Sequence, residues 1–255
     1  MTRPVILYDN LFTQGELSSQ LVNGDPALAV DWFTYDGIQF QTGLSTISSI
    51  AAALGSPSTA NALGVAAHNL GSKGATVSVR DGINSGLIIA SYQPVDDSPF
   101  ILEFDDHTTD EWTISVDAGP NDDPFVNIIV LGSAMNLERS AFLNVTPPGF
   151  NPSDEYNRNR SETGQTMGLT LKRLGIQNEI SFDNVSLQWI KDEWQTFTDH
   201  MRKKACFWGW DQDDNPLDVA FVERDGNPQA NPTTIGGPNQ QGYWQVSLPV
   251  KGRAE

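Results

Sequence analysis

Trp112-Thr113-Ile114-Ser115-Val116, the turn cluster Ala118-Gly119-Pro120-Asn121 and the run Phe125-Val126-Asn127-Ile128-Ile129-Val130-Leu131 form the stretch that decides the fold. The first run alternates with period 2, as a strand with one buried face must. The last is almost wholly apolar and reads as a strand buried on both sides. Working outward, Thr76-Val77-Ser78-Val79-Arg80 alternates in the same way, and Gly86-Leu87-Ile88-Ile89 and Phe100-Ile101-Leu102-Glu103-Phe104 are compact strand candidates. Turn signals at Asp81-Gly82 and Asn84-Ser85-Gly86 separate them at spacings suited to a β-sandwich or jelly roll. Ile47 to Leu54 fits either one helical turn or a strand. The sandwich is expected to occupy residues 1–138.

Residues 139–255 differ in kind. After the connector Pro147-Pro148-Gly149, a strand pattern runs from Thr166 to Leu174, with a hairpin signal at Gly175 and Glu179-Ile180-Ser181-Phe182 as the returning strand. Leu187, Ile190, Trp194, Phe197 and Met201 then follow at spacings of three and four, which predicts one long amphipathic helix near 186–204. Asp183 or Asn184 is placed to cap it, and Arg202-Lys203-Lys204 suit its C-terminal dipole. Beyond it, Cys206-Phe207-Trp208-Gly209-Trp210, Val219-Ala220-Phe221-Val222 and Tyr243-Trp244-Gln245-Val246-Ser247-Leu248 read as strands. The Asn/Pro/Gly-rich stretch from Asp225 to Gly242 reads as an exposed arm ordered by a partner. The expected fold class is therefore mainly β, a sandwich followed by a β-domain carrying one helix.

Charge and cysteine content exclude several functions. The formal net charge is −17, and 17 of the 32 acids but only three of the 15 Lys and Arg residues fall in residues 1–138. Nucleic-acid binding needs clustered positive charge, so it is not expected. Cys206 is the only cysteine, which leaves no intrachain disulfide and no thiolate metal site. No apolar run reaches the roughly 18 residues of a membrane helix, and the start Met1-Thr2-Arg3-Pro4 lacks signal-peptide character, so synthesis in the cytoplasm without membrane insertion is expected.

Candidate chemistry is sparse. His68, His107 and His200 show no ligand spacing, and each reads as structural. The phosphate-loop, dinucleotide and serine-elbow motifs are missing. The pairs Asp96-Asp97, Asp105-Asp106, Asp122-Asp123 and Asp213-Asp214 offer oxygen ligands, but a solvated acidic rim accounts for them. Asp211 to Pro216 imitates the opening of a calcium loop, yet has Pro216 where the loop's glycine belongs and Val222 where its last glutamate belongs. No cofactor or metal and no catalytic residue is expected. Trp208 and Trp210, alternate residues of one strand, are expected to pack on the helix stripe of Trp194 and Phe197, with a carbohydrate or partner contact as the less favoured alternative.

The opening Tyr8-Asp9-Asn10-Leu11-Phe12, the stretch from Gly64 to Val79, Met135 to Arg139, Ser161-Glu162-Thr163-Gly164-Gln165 and Phe207 to Trp210 together resemble a family of siphophage and prophage tail proteins. The resemblance is collinear over most of the chain. It implies a galactose-binding-like, discoidin-type sandwich at the N-terminus and a distal-tail or minor tail role in the virion. On that reading the protein is a non-enzymatic homo-oligomeric ring at the tail tip or baseplate that joins the tail tube to the hub and fibres, its second half forming the ring and its first half projecting outward. Recognition of a host surface glycan is the alternative function, and a glycan-degrading enzyme a less favoured one.

Overall fold

The protein, described from a computed structural model over residues 3–32, 37–41, 48–83, 86–119, 123–138, 147–150, 152–173, 175–233 and 242–253, is mainly β. Strand β1 (Val5–Leu7) opens the chain, followed by β2 (Glu16–Gln20), β3 (Val22–Asn23), a short helix α1 (Pro26–Val30) and β4 (Ile38–Phe40). Next come β5 (Ser48–His68), β6 (Thr76–Asp81), β7 (Leu87–Tyr92), β8 (Phe100–Asp117) and β9 (Phe125–Gly132). The second half supplies β10 (Glu155–Arg160), β11 (Thr166–Arg173), β12 (Gly175–Val185), a helix, β13 (Cys206–Gly209), β14 (Val219–Arg224), β15 (Gln229–Pro232) and β16 (Trp244–Arg253).

Two long strands build the sandwich. Residues 49–53 of β5 lie between β2 and the end of β8, whereas residues 62–68 lie beside β9, and the start of β8 flanks residues 62–65. Breaks in register after Ala53 and Ala60 bend the β5–β8 pair, so one hairpin contributes to both layers. Ile50, Ala52, Trp112, Ile114, Val77 and Val79 then face Leu63, Val65, Phe100, Ile129 and Leu131 across one core. Sequence had divided β8 into two strands. The intervening Asp105 to Asp110 continues the ladder, but its largely exposed side chains leave no burial alternation to read. The ambiguous stretch from Ser48 to Leu54 is strand.

The outer face of the β9–β5 layer carries Ala62, Ala66, Ile128 and Val130, and packs on a second sheet ordered β1-β13-β14-β16-β12 with β15 beside β16. Side chains along that sheet alternate in destination. Val5, Leu7, Phe207 and Val219 meet the sandwich, while Ile6, Cys206, Trp208, Ala220 and Val222 meet the helix. β1 thus pairs with β13 rather than with any sandwich strand, across the boundary expected at residue 138. The reason is its composition. Val5-Ile6-Leu7 is apolar on both faces and buried at all three positions, which only a sheet with a core on each side can satisfy.

The helix has 14 residues and comprises α2 (Leu187–Trp189), a π-helical turn (Ile190–Trp194) and α3 (Gln195–His200). Its cap is Ser186, whose hydroxyl accepts from the Trp189 N–H, in place of the Asp183 or Asn184 expected. Ile190, Trp194, Phe197 and Met201 are buried as the spacing predicts. The π turn adds Trp189 to that face and leaves Leu187 half-buried.

The hairpin expected at Gly175 is absent. β11 pairs with β10 and β12 with β16, so the chain passes from one sheet to another at this point. Gly175 serves close approach instead, since a Cβ there would sit 2.6 Å from the Ser153 carbonyl oxygen. The real hairpin turns at Ser161–Gln165, closed by Ser161 N–H to Gln165 O and by Gly164 at φ +82°. Of the expected arm, residues 229–232 form β15, while residues 234–241 lie outside the described set.

Candidate interaction surfaces

β10 and β11 pair only with each other among the described residues, forming a two-stranded ribbon. Its base is tied down by a bridge between Pro152 and Ile176 and by Ser153 N–H to Gly175 O at 2.7 Å. Directly opposed residues share a face. Tyr156 opposes Leu171 and Arg158 opposes Leu169, while Asn157 with Thr170 and Asn159 with Gly168 occupy the other side. Met167 falls at a break in register, between the pairs Asn159–Gly168 and Arg160–Thr166. Met167 is 72% exposed and Leu169 57%. One ribbon face is therefore apolar and basic, the other polar, and the apolar one has no cover among the described residues.

The two tryptophans singled out from sequence are not an exposed platform. Trp208 is 1% exposed within the helix-side core, and Trp210 is half-buried against the same core with its indole N–H donating to Asp218. The sugar-contact reading of Trp208 is corrected accordingly: a ring that fills the core cannot stack on a ligand.

The histidines have internal partners. His68 Nδ1 accepts from the Leu70 N–H, so the proton resides on Nε2, which donates to Ser98 O at 3.0 Å. Burial pushes its pKa down. His200 packs edge-on against Tyr8 and Trp32, with Nε2 3.0 Å from Ala205 O, and burial again pushes the pKa down. His107 lies 2.8 Å from Asp81, which also accepts from Thr109 at 2.7 Å. Those two hydrogen bonds, Thr109 foremost, hold the Asp81 carboxyl below its ordinary range.

Several acids of the suspected pairs are engaged in the fold. Asp96 accepts from Ser98 N–H and Asp97 from Ser72 N–H, in adjoining turns, and Asp106 accepts from Asn61. Asp213 accepts from the Arg3 guanidinium, which also grips Glu103 with two bonds of 2.7 and 2.8 Å. Arg3 thereby fastens the β13–β14 loop to the sandwich strand β8, a clamp invisible in sequence because its members are 100 and 210 residues apart. Among the described residues no group of three or more His, Cys, Asp or Glu side chains is arranged to hold a metal ion.

At one end of the sandwich Phe125 is 42% exposed. Its backbone exchanges hydrogen bonds with Asn69. Asn69 also accepts from Ser72, and Ser72 in turn donates to Asp97.

No protein-family model and no curated protein matches this chain. Solved structures similar to it include the CBM32 of AlyQ in complex with 4,5-unsaturated mannuronic acid, at 14% identity over 49% of this chain and 96% of that one, with a TM-score of 0.38. Chitosan-binding module 1 of a Paenibacillus sp. IK-5 chitosanase/glucanase matches at 14% identity over 48% and 97%, TM-score 0.38. The Clostridium perfringens module CpGH89CBM32-5, in complex with GalNAc-β-1,3-galactose, matches at 13% over 47% and 96%, TM-score 0.37. At these scores the likenesses assign neither ligand nor activity. The functional reading rests on this chain's own surfaces.

Proposed function

We propose that this chain is a non-catalytic structural subunit that assembles through its second half, in the tail-tip or baseplate role that the sequence resemblance implies. The observation that carries the reading is the β10–β11 ribbon. A two-stranded hairpin is at best marginally stable in water, and contiguous exposed apolar surface on a soluble protein marks an interaction site. A ribbon anchored at its base, with Tyr156, Met167, Leu169 and Leu171 uncovered, fits an arm that completes its core on another subunit. Charge favours the same half, because its acids and bases nearly balance whereas the sandwich repels its own copies.

The test is sedimentation of the full chain against the double variant Leu169→Asp, Leu171→Asp. Self-association of the parent, lost in a variant that retains the parent's melting temperature, is the expected result. A variant that associates like the parent, or a parent that stays monomeric and binds no other tail protein, overturns the reading.

Glycan recognition by the sandwich is kept as a second reading by the Phe125 cluster. An exposed aromatic ring beside amide, hydroxyl and carboxylate groups is the chemistry that stacks on and hydrogen-bonds a sugar. Glycan-array binding that disappears in Phe125→Ala would establish it, and an array blank for the parent would remove it.

A further inference from the structure

The sandwich has a surface complementary to the ribbon. Among the described residues β7 is the terminal strand of its sheet and pairs only with β6, so no described strand occupies its outer edge of backbone N–H and C=O groups. Leu87 and Ile88 on it are 73% and 50% exposed. Trp112, Asp81 and Leu87 lie in one row across β8, β6 and β7, and adjacent strands are about 4.8 Å apart. Asp81 therefore stands about 5 Å from the Leu87 strand, and Asp110 and Glu111, which precede Trp112 on β8, stand roughly 10 Å from it, giving an apolar border flanked by carboxylates. The ribbon is the reverse: Tyr156, Met167, Leu169 and Leu171 are interleaved with Arg158, and Arg160 follows. Neither arginine is in an ion pair among the described residues. Lengths also agree, β7 and β10 having six residues each and β11 eight.

We propose that the ribbon of one copy adds to the outer β7 edge of a second copy, extending that sandwich sheet. Leu169 and Leu171 then cover Leu87, which shares a face with Asp81, and Arg158 and Arg160 face the carboxylates beside it. This rests on the assembly reading above and deepens it by naming the occupant. Backbone pairing along the edge supplies affinity, and the charge pattern supplies direction. The contact is head-to-tail, so its repetition generates a ring or a filament rather than a closed pair.

The experiment exploits the chain's single cysteine. Cys206 is fully buried, and burial raises its thiol pKa beyond the reactive range, so thiols introduced at the surface report without background. Leu169→Cys and Leu87→Cys are prepared separately, then mixed with a short bismaleimide. Mixed-variant dimers several-fold in excess of those from either variant alone are expected, as is their loss with Arg158→Glu and recovery when the Leu87→Cys partner also carries Asp110→Lys. Association that persists while Leu169→Cys cross-links only to itself overturns this proposal and leaves the assembly reading standing. Absence of any association overturns both.

Discussion

Substituting Gly64 by alanine tests whether the two sheets form one structural unit. Gly64 lies between Ala62 and Ala66 on the outer face of the sandwich, and a Cβ built on it would sit 2.6 Å from Phe207 Cδ2 and 2.8 Å from Cε2 and Cγ. The Phe207 ring is fully buried and is backed by Phe221 at a centroid distance of 4.9 Å, so it has little room to retreat. Removing a strand glycine ordinarily stabilises by ~0.5–1 kcal/mol. Overpacking a tight interior costs ~1–3 kcal/mol. The steric effect wins here, so Gly64→Ala is expected to destabilise by about 1–2 kcal/mol. Urea denaturation of Gly64→Ala, Phe207→Leu and the double variant supplies the assay. Coupling of at least ~0.5 kcal/mol, with the double variant less damaged than the two losses added, is expected of residues in contact. A neutral or stabilising Gly64→Ala with additive losses would refute the packing argument.

Other expectations are more local. Ser186→Ala removes the helix cap and should cost about 1 kcal/mol, read as a lower melting temperature with unchanged assembly. Arg3→Ala breaks ion pairs whose arginine is half exposed, so its cost should stay within ~1 kcal/mol per pair and shrink in high salt. His68 and His200 have folded-state pKa values below their ordinary 6.5, so the unfolded chain takes up protons first as pH falls. Stability from these two groups is complete above that value and declines as pH drops through it. A melting temperature that rises from pH 7.5 to pH 5 in the parent, and equally in His200→Gln, would contradict this.

Much of the architecture was legible because burial writes itself into strand periodicity. Val77 and Val79, and Trp112, Ile114 and Val116, announced their faces, and the stripe from Ile190 to Met201 announced the helix. The three-layer stacking was not read, although Val5-Ile6-Leu7 and Cys206-Phe207-Trp208 carried its sign, apolar side chains at consecutive strand positions. The ribbon shows the opposite difficulty. Met167, Leu169 and Leu171 have the alternation of a core-facing strand, and only the tertiary structure reveals that nothing described covers them. Trp208 was legible as a buried strand residue because the helix stripe of Trp194 and Phe197 needs an apolar partner, and it lies in one core with them.

The position of β1 in the central sheet sets an order of events during synthesis. Val5 to Leu7 emerge from the ribosome early, yet their hydrogen-bonding partners are Phe207 to Gly209. At translation rates of ~5–20 residues per second, the intervening chain of about 200 residues takes roughly 10–40 s to appear. For that interval a wholly apolar strand has no sheet to join, and the outer face of the nascent sandwich that will bury it is bare. Chaperone demand should therefore persist through that interval, and fall when Phe207 to Gly209 arrive to enclose the waiting strand.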